Sequence, residues 1–262
     1  LPSVGPGNVL KDIINSRCAP VVSLKEIFRQ SKESLITINA HKINQGIMPI
    51  LNGKDKDFFF LNEENPSMMM NTLLDLVDRR LPKYNEGWNK LKDIQVLSPM
   101  KKGALGVTNL NIRLQEILNP YKENKPEKEY RNTIFRVGDK VMQIKNNYSL
   151  KWTRISGTGD NEGVGVFNGD IGVIEYIEED KGTISVIFDE ERRVNYETMY
   201  LDELELAYAI TIHKSQGSEF PVVIIPAFMG SPFLMNRNLL YTAITRARSF
   251  VVIVGSIKAL KF

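Results

Sequence analysis

Two stretches near the end of the chain hold residue types suited to a phosphorylated ligand. In AITIHKSQGSEF (209–220) an apolar run ends in Thr211, His213, Lys214, Ser215 and Gln216. Gly217 follows, and its missing side chain permits close backbone approach to a ligand. Several donors in so short a span suit a phosphodiester backbone, and Glu219 supplies the acceptor that a ribose hydroxyl needs. A polar loop with no ligand accounts for the same composition about equally well. In LLYTAITRAR (239–248), Leu240, Ala243, Ile244 and Ala247 make the apolar side of a helix, leaving Arg246 and Arg248 on other faces. An arginine near the end of such a helix can point into an interdomain cleft, where its planar fork of donors suits a phosphate in transfer. Taken singly, an arginine is more often a solvated surface residue.

The elements that must position these residues follow from periodicity. Val9 to Ser16, Ser34 to Gln45, Asn65 to Arg80, and a segment capped by Thr108 or Asn109 and running to Leu118 read as helices. Phe58 to Leu61, Ile94 to Leu97, Leu204 to Ile212, Pro221 to Pro226 and Phe250 to Gly255 read as strands, with a last helix over Asn236 to Ala247. Residues 121–131 read as a polar linker. From about Thr133 to Tyr196 the pattern has period two with glycine turns, as in KVMQIK, GVIEYI and TISVIF, which predicts a small β-barrel. The chain is therefore expected to be an α/β domain interrupted by a β insertion.

Composition sets the bounds. Hydrophobic residues make up 42% and charged residues 25% of the 262, as in globular proteins, and no apolar run is long enough to cross a bilayer. LPSVGPGNVLKD lacks the pattern of a signal peptide. One cysteine, Cys18, cannot form an internal disulfide, which points to a reducing compartment, most simply the cytoplasm, and it reads as an inert core or loop residue. A net charge of +3 leaves any nucleic-acid argument to local clusters. His213 and His41 are far apart in sequence and have no cysteine partner, so no metal site is expected.

In order and spacing the two terminal stretches resemble motifs V and VI of superfamily 1 helicases, in the wording of the RecD/TraA branch. LPSVGPGNVL resembles the tail of motif III, LKEIFRQ resembles motif IV, and LSPMKKGALGVTNLNIRLQ resembles the next block. FRVGDKVMQIKNNY and GVFNGDIGVI resemble the small SH3-like barrel inserted in the second motor domain of that branch. The resemblance spans nearly the whole chain, with residues 47–93 contributing least. It implies a RecA-like domain in two parts (21–130 and 201–262), an inserted barrel (131–200), and a remnant of a first motor domain with its linker (1–20).

The resemblance also implies roles. ATP would sit between two RecA-like domains, with Phe28 against the adenine, Arg29 and Arg246 on the γ-phosphate, and Glu219 on the ribose. Gly217 and Arg248 are further candidates on the nucleotide side. Single-stranded DNA would run over Thr211, His213, Lys214 and Gln216, and over Ser98, Lys101 and Lys102. No G-x-x-x-x-G-K-[ST] run occurs, so ATP and Mg2+ would require the N-terminal half of the same protein, and this chain alone is expected to be inactive. The family's 5′-to-3′ movement and its recombination or conjugation partners are inherited expectations; no membrane partner is expected. An alternative is a non-catalytic binding module centred on the barrel, with Lys140, Lys145, Lys151 and Arg154 as a basic patch and Trp152 as a base platform. An RNA helicase of the same superfamily shares the motor motifs.

Overall fold

A computed structural model of the chain describes residues 7–22, 34–52, 57–178, 180–228 and 236–260. Along the chain come α1 (Val9–Ser16), α2 (Leu35–Asn44), β1 (Phe58–Asn62), α3 (Pro66–Asp75), α4 (Leu81–Tyr84), β2 (Ile94–Ser98) and α5 (Val107–Leu118). A hairpin of β3 (Glu127–Tyr130) and β4 (Thr133–Arg136) follows. Next are β5 (Lys140–Gln143), β6 (Asn147–Arg154), β7 (Glu162–Val166), β8 (Ile171–Glu178), β9 (Thr183–Phe188), β10 (Arg192–Tyr196) and β11 (Leu204–Leu206). The chain closes with β12 (Ala209–Thr211), β13 (Phe220–Ala227), α6 (Arg237–Ile244) and β14 (Ala247–Gly255).

Five strands form a parallel sheet in the order β1-β14-β13-β2-β12. Its central strands are apolar throughout, as expected when helices cover both faces. Val223 and Ile225 of β13 and Val251 and Ile253 of β14 pack with Ile43 of α2 and Leu240 of α6. Their alternates, Val222, Ile224, Val252 and Val254, pack with Leu73 of α3 and Leu110 of α5. The seven strands β5 to β11 form a separate antiparallel sheet in the order β11-β5-β8-β9-β10-β6-β7. An α/β domain interrupted by a β insertion is thus what the chain adopts.

Local chemistry explains the helix starts. The Asn65 side chain accepts from the amides of Ser67 and Met68, and Pro66 takes the first helical position of α3, where its missing N–H is not needed. Beyond Asp75 the helix widens into a π-turn over Leu76–Arg80 before α4. The expected caps of α5 are displaced. Gly106 occupies that position, and any Cβ there would lie 2.5 Å from the carbonyl carbon of Lys102. Thr108 instead sits inside the helix, donating amide and hydroxyl to the Lys101 carbonyl, each at 3.1 Å.

Three other expectations change. The polar 121–131 segment contains β3, paired to β4 over Glu127↔Arg136 to Tyr130↔Thr133. Leu204 to Ile212 is two strands, because the chain leaves the antiparallel sheet after Leu206 and joins the parallel one at Ala209. The last helix ends at Ile244, and Ala247 already belongs to β14. Cys18, expected in core or loop, is an exposed loop residue. Met69 and Met70 are core residues, whereas Met68 is exposed.

The passage between sheets is clamped by buried polar side chains. Gln95 Nε2 donates to the carbonyls of Ala207 (3.1 Å) and Tyr208 (3.0 Å). Asn111 donates to the carbonyls of Leu206 and Ala209 and accepts from the Ala209 amide at 2.7 Å. The fully buried Asp139 carboxylate accepts from Gln115, Asn119, the Arg136 amide and the Tyr208 hydroxyl. Burial raises its affinity for a proton, and those hydrogen bonds oppose the rise.

Lys140, beside it, donates to Gln95 Oε1 at 2.8 Å and lies 5.8 Å from the Phe220 ring centre. Burial lowers its pKa to about 7, although the Asp93 charge pulls the other way. Between that value and the ordinary lysine range, the unfolded chain holds a proton that the folded chain does not. Stability therefore rises with pH across the window, with a slope approaching about 1.4 kcal/mol per pH unit. Urea unfolding from pH 7 to pH 10 measures it, and Lys140→Met is expected to flatten that rise.

Candidate functional site

The parallel sheet has two ends, and the sequence-predicted residues divide between them. Ser98 and Thr211 are register partners at the C-terminal ends of β2 and β12. Phe220 and Ala247 are partners at the N-terminal ends of β13 and β14, so Glu219 and Arg246 immediately precede those strands. Val222 pairs with Ile94, which puts the two ends roughly 20 Å apart along the strands. Residues 212–219 join them directly, starting beyond β12, passing β2 and entering β13.

At the C-terminal end, Ser98 is fully buried. Its hydroxyl donates to the Leu105 carbonyl at 2.8 Å and accepts from the Met100 amide, so it shapes the turn rather than facing solvent. That turn presents Lys101 and Lys102, both exposed. In the neighbouring segment the Thr211 hydroxyl accepts from the Lys214 amide. Ser215 is buried, with its hydroxyl on the Ile212 carbonyl, which directs His213 and Gln216 outward. Thr211, Lys214, Lys101 and Lys102 are thus carried by the ends of adjacent strands.

A residue that sequence reasoning missed ties this cluster together. Glu205 on β11 accepts from Lys101 at 2.8 Å through Oε1 and from Lys214 at 2.6 Å through Oε2. Burial pushes its carboxyl up, but the two lysines outweigh that and hold it below the usual carboxylate range. It lies 104 residues from Lys101, so no local pattern could have revealed the pairing. Beside it a groove of about 420 Å³ runs between α5 and the β3–β4 hairpin, lined by Lys101, Asn111, Gln115, Asn132, Arg136 and Glu205 among others.

At the N-terminal end, Arg246 is half-buried. Its guanidinium donates to the Ser218 carbonyl at 3.1 Å and to the Thr242 carbonyl at 3.3 Å, and its own carbonyl accepts from the Phe220 amide. The tail of the 212–219 segment is thereby fastened to the end of α6. Arg248 is on β14, not on a helix, and pairs with Glu219 at 3.3 Å. Phe28 and Arg29 lie outside the described residues. Among the described residues, no group of three or more His, Cys, Asp or Glu side chains could hold a metal ion, and no helix is long and apolar enough to cross a membrane.

Of the basic residues weighed on the barrel, Lys151 is exposed, and the other three are buried or paired. Lys140 is buried, Lys145 pairs with Asp202 at 2.6 Å, and Arg154 pairs with Glu191 at 2.5 Å. Trp152 is partly buried against the core and faces Gly163, where any Cβ would lie 2.4 Å from its ring.

Gly217 has φ +89°, and a Cβ built there meets nothing within 4 Å. Gly217→Ala therefore adds backbone strain without a clash, and it is expected to lower stability by about 1–2 kcal/mol in urea unfolding.

Comparisons with known proteins match both the insertion and the closing part of the parallel sheet. The family model described as "ATP-dependent RecD-like DNA helicase SH3 domain" matches residues 110–188, and that of the "UvrD-like helicase C-terminal domain" matches residues 206–254. An ATP-dependent RecD2 DNA helicase of Deinococcus radiodurans is 31% identical over 259 residues, covering 99% of this chain and 32% of that protein. The RecBCD enzyme subunit RecD of Mycobacterium tuberculosis is 27% identical over 268 residues, covering 98% of this chain and 43% of the relative. The chain thus spans less than half the length of either. In fold it is similar to a Bacteroides Pif1 helicase crystallised with ADP-AlF3 and ssDNA (TM-score 0.52, 19% identity, 92% of this chain and 53% of the other). With a RecA-like parallel sheet, an SH3-like insertion and relatives of this kind, the chain belongs to the RecD-type superfamily 1 helicases and corresponds to their C-terminal part.

Proposed function

We propose that this chain is the second motor domain of an ATP-dependent DNA helicase, working with a first domain that brings the phosphate-binding loop and the magnesium ligands. The observation that carries the reading is the division of one sheet into a cationic C-terminal end and an arginine-bearing N-terminal end, joined by residues 212–219.

On this reading, DNA lies at the C-terminal end. Lys101, Lys102 and Lys214 meet phosphates, while Thr211, His213 and Gln216 contact the sugar-phosphate chain, all without reading bases. Buried Ser98 keeps the Lys101 turn in shape. Nucleotide lies at the N-terminal end. Glu219 accepts from a ribose hydroxyl, and Arg248, already paired with that carboxylate, fixes its direction. By the family resemblance, Arg246 and Arg29 would approach the terminal phosphate and Phe28 the base. Bound ATP supplies the phosphoryl group and Mg2+ screens its charge; the arginines offer donors to the oxygens where charge develops.

The Arg246–Ser218 contact gives the coupling a physical form, because a guanidinium drawn toward phosphate releases the tail of the DNA-side segment. Movement from 5′ to 3′ and service in recombination or conjugation follow the family resemblance. The domain limits of 21–130, 131–200 and 201–262, with 1–20 as a remnant of the first domain, belong to the same reading, with the last junction moved past β11, which pairs within the insertion.

DNA-stimulated ATPase of the protein carrying both motor domains tests it. Arg246→Ala is expected to lower turnover by about 10³-fold or more while melting and DNA binding persist. Undiminished turnover in a folded variant removes Arg246 from the reaction.

A further inference from the structure

Glu205 is the only carboxylate described in contact with the cationic end of the parallel sheet, and it engages two of its lysines at once, one with each oxygen. It does not belong to that sheet. β11 pairs with β5 of the SH3-like insertion, Leu204 opposite Gln143 and Leu206 opposite Val141, so the insertion delivers the charge. Burial is partial, since about a third of the Glu205 side chain and more than half of the Lys101 side chain are exposed. A contact of this kind contributes little to folding. Its electrostatic consequence is larger, because it cancels one of two positive charges where a phosphate would bind.

Geometry also makes the contact exchangeable. Each ammonium has three donors, and Glu205 takes one from each. Glu205 stands between Thr211 and Lys214 on one side and the groove beside α5 on the other, lining both openings. A phosphate placed against Lys101 and Lys214 therefore meets a like charge. The carboxyl stays ionised at neutral pH because both lysines donate to it, despite partial burial.

We propose that Glu205 is an internal counterion of the DNA track, which holds Lys101 and Lys214 when no strand is bound and is exchanged for phosphate when one arrives. The inference rests on the reading that these lysines meet DNA. Exchange gives up only the ion pairs of β11 with the two lysines, since the Asn111 bond to the Leu206 carbonyl still holds the strand against the motor sheet. It also lowers affinity for a strand at rest, which favours release between steps.

Fluorescence anisotropy with labelled oligo-dT, over a series of salt concentrations, tests this on the full chain. Glu205→Gln removes the charge at nearly constant shape. It is expected to bind about tenfold more tightly at low salt, where a single nearby charge is poorly screened. Its plot of log affinity against log salt should steepen by about 0.7, as for one further phosphate neutralised per strand. Glu205→Asp keeps the charge with a shorter reach and is expected to gain less. In a Lys101→Ala/Lys214→Ala background, binding weakens and Glu205→Gln restores little of it. Unchanged or weaker binding by Glu205→Gln, with the lysine variants impaired, overturns the counterion role and leaves the DNA reading standing. If the lysine variants also bind as tightly as the parent, the DNA reading of this end fails, and the inference with it.

Discussion

Everything in this chain depends on one passage of backbone, Leu206 to Ala209, where the polypeptide stops pairing antiparallel with β5 and starts pairing parallel with β2. A backbone changing sheets inside a protein leaves amides and carbonyls that neither ladder satisfies, and each costs about 1–3 kcal/mol if left unpaired. Here Gln95, Asn111 and the Lys140 carbonyl take them up, and Asp139 anchors the Tyr208 hydroxyl from behind. These side chains are buried and polar in positions where apolar residues would pack more simply. They are retained because the passage requires donors and acceptors at fixed points.

Once the passage is fixed, the site follows from it. Ala209 begins a strand of only three residues, so the position of Thr211 and the turn after it is set two residues downstream of the clamp. Glu205 lies on the other side of the same passage, two residues before Ala207, which is why an insertion carboxylate reaches the motor's lysines. At the far end the logic repeats with fewer bonds. Arg246 fastens Ser218 to α6, and the 212–219 segment is held at both ends by contacts of different kinds.

Much of this was legible in the sequence. The start of α3 could be read from Asn65-Pro66, because cap and first-turn chemistry are local. The apolar runs of β13 and β14 announced strands, and the period-two region announced the insertion. What was not legible depends on residues distant in sequence. Nothing between Leu204 and Ile212 marks a change of sheet, since both halves are apolar and both are strands; the break is dictated by Gln95 and Asn111, about a hundred residues earlier. The helical pattern of Asn236 to Ala247 overran because Ala247 is apolar in either element, whereas the Phe220 amide on the Arg246 carbonyl commits the chain to strand. Lys140 looked like part of a surface patch, and only the Gln95 and Phe220 side chains around it reveal its burial. Glu205 carried no signal at all.

On the proposed function, DNA follows the C-terminal end of the parallel sheet and not the face of the insertion. Hydrogen exchange of the chain with and without single-stranded DNA tests that most directly. Slowed exchange is expected in residues 99–108 and 211–217, with residues 147–167 of the insertion unaffected. Protection confined to 147–167, with the two motor segments exchanging as before, would contradict it.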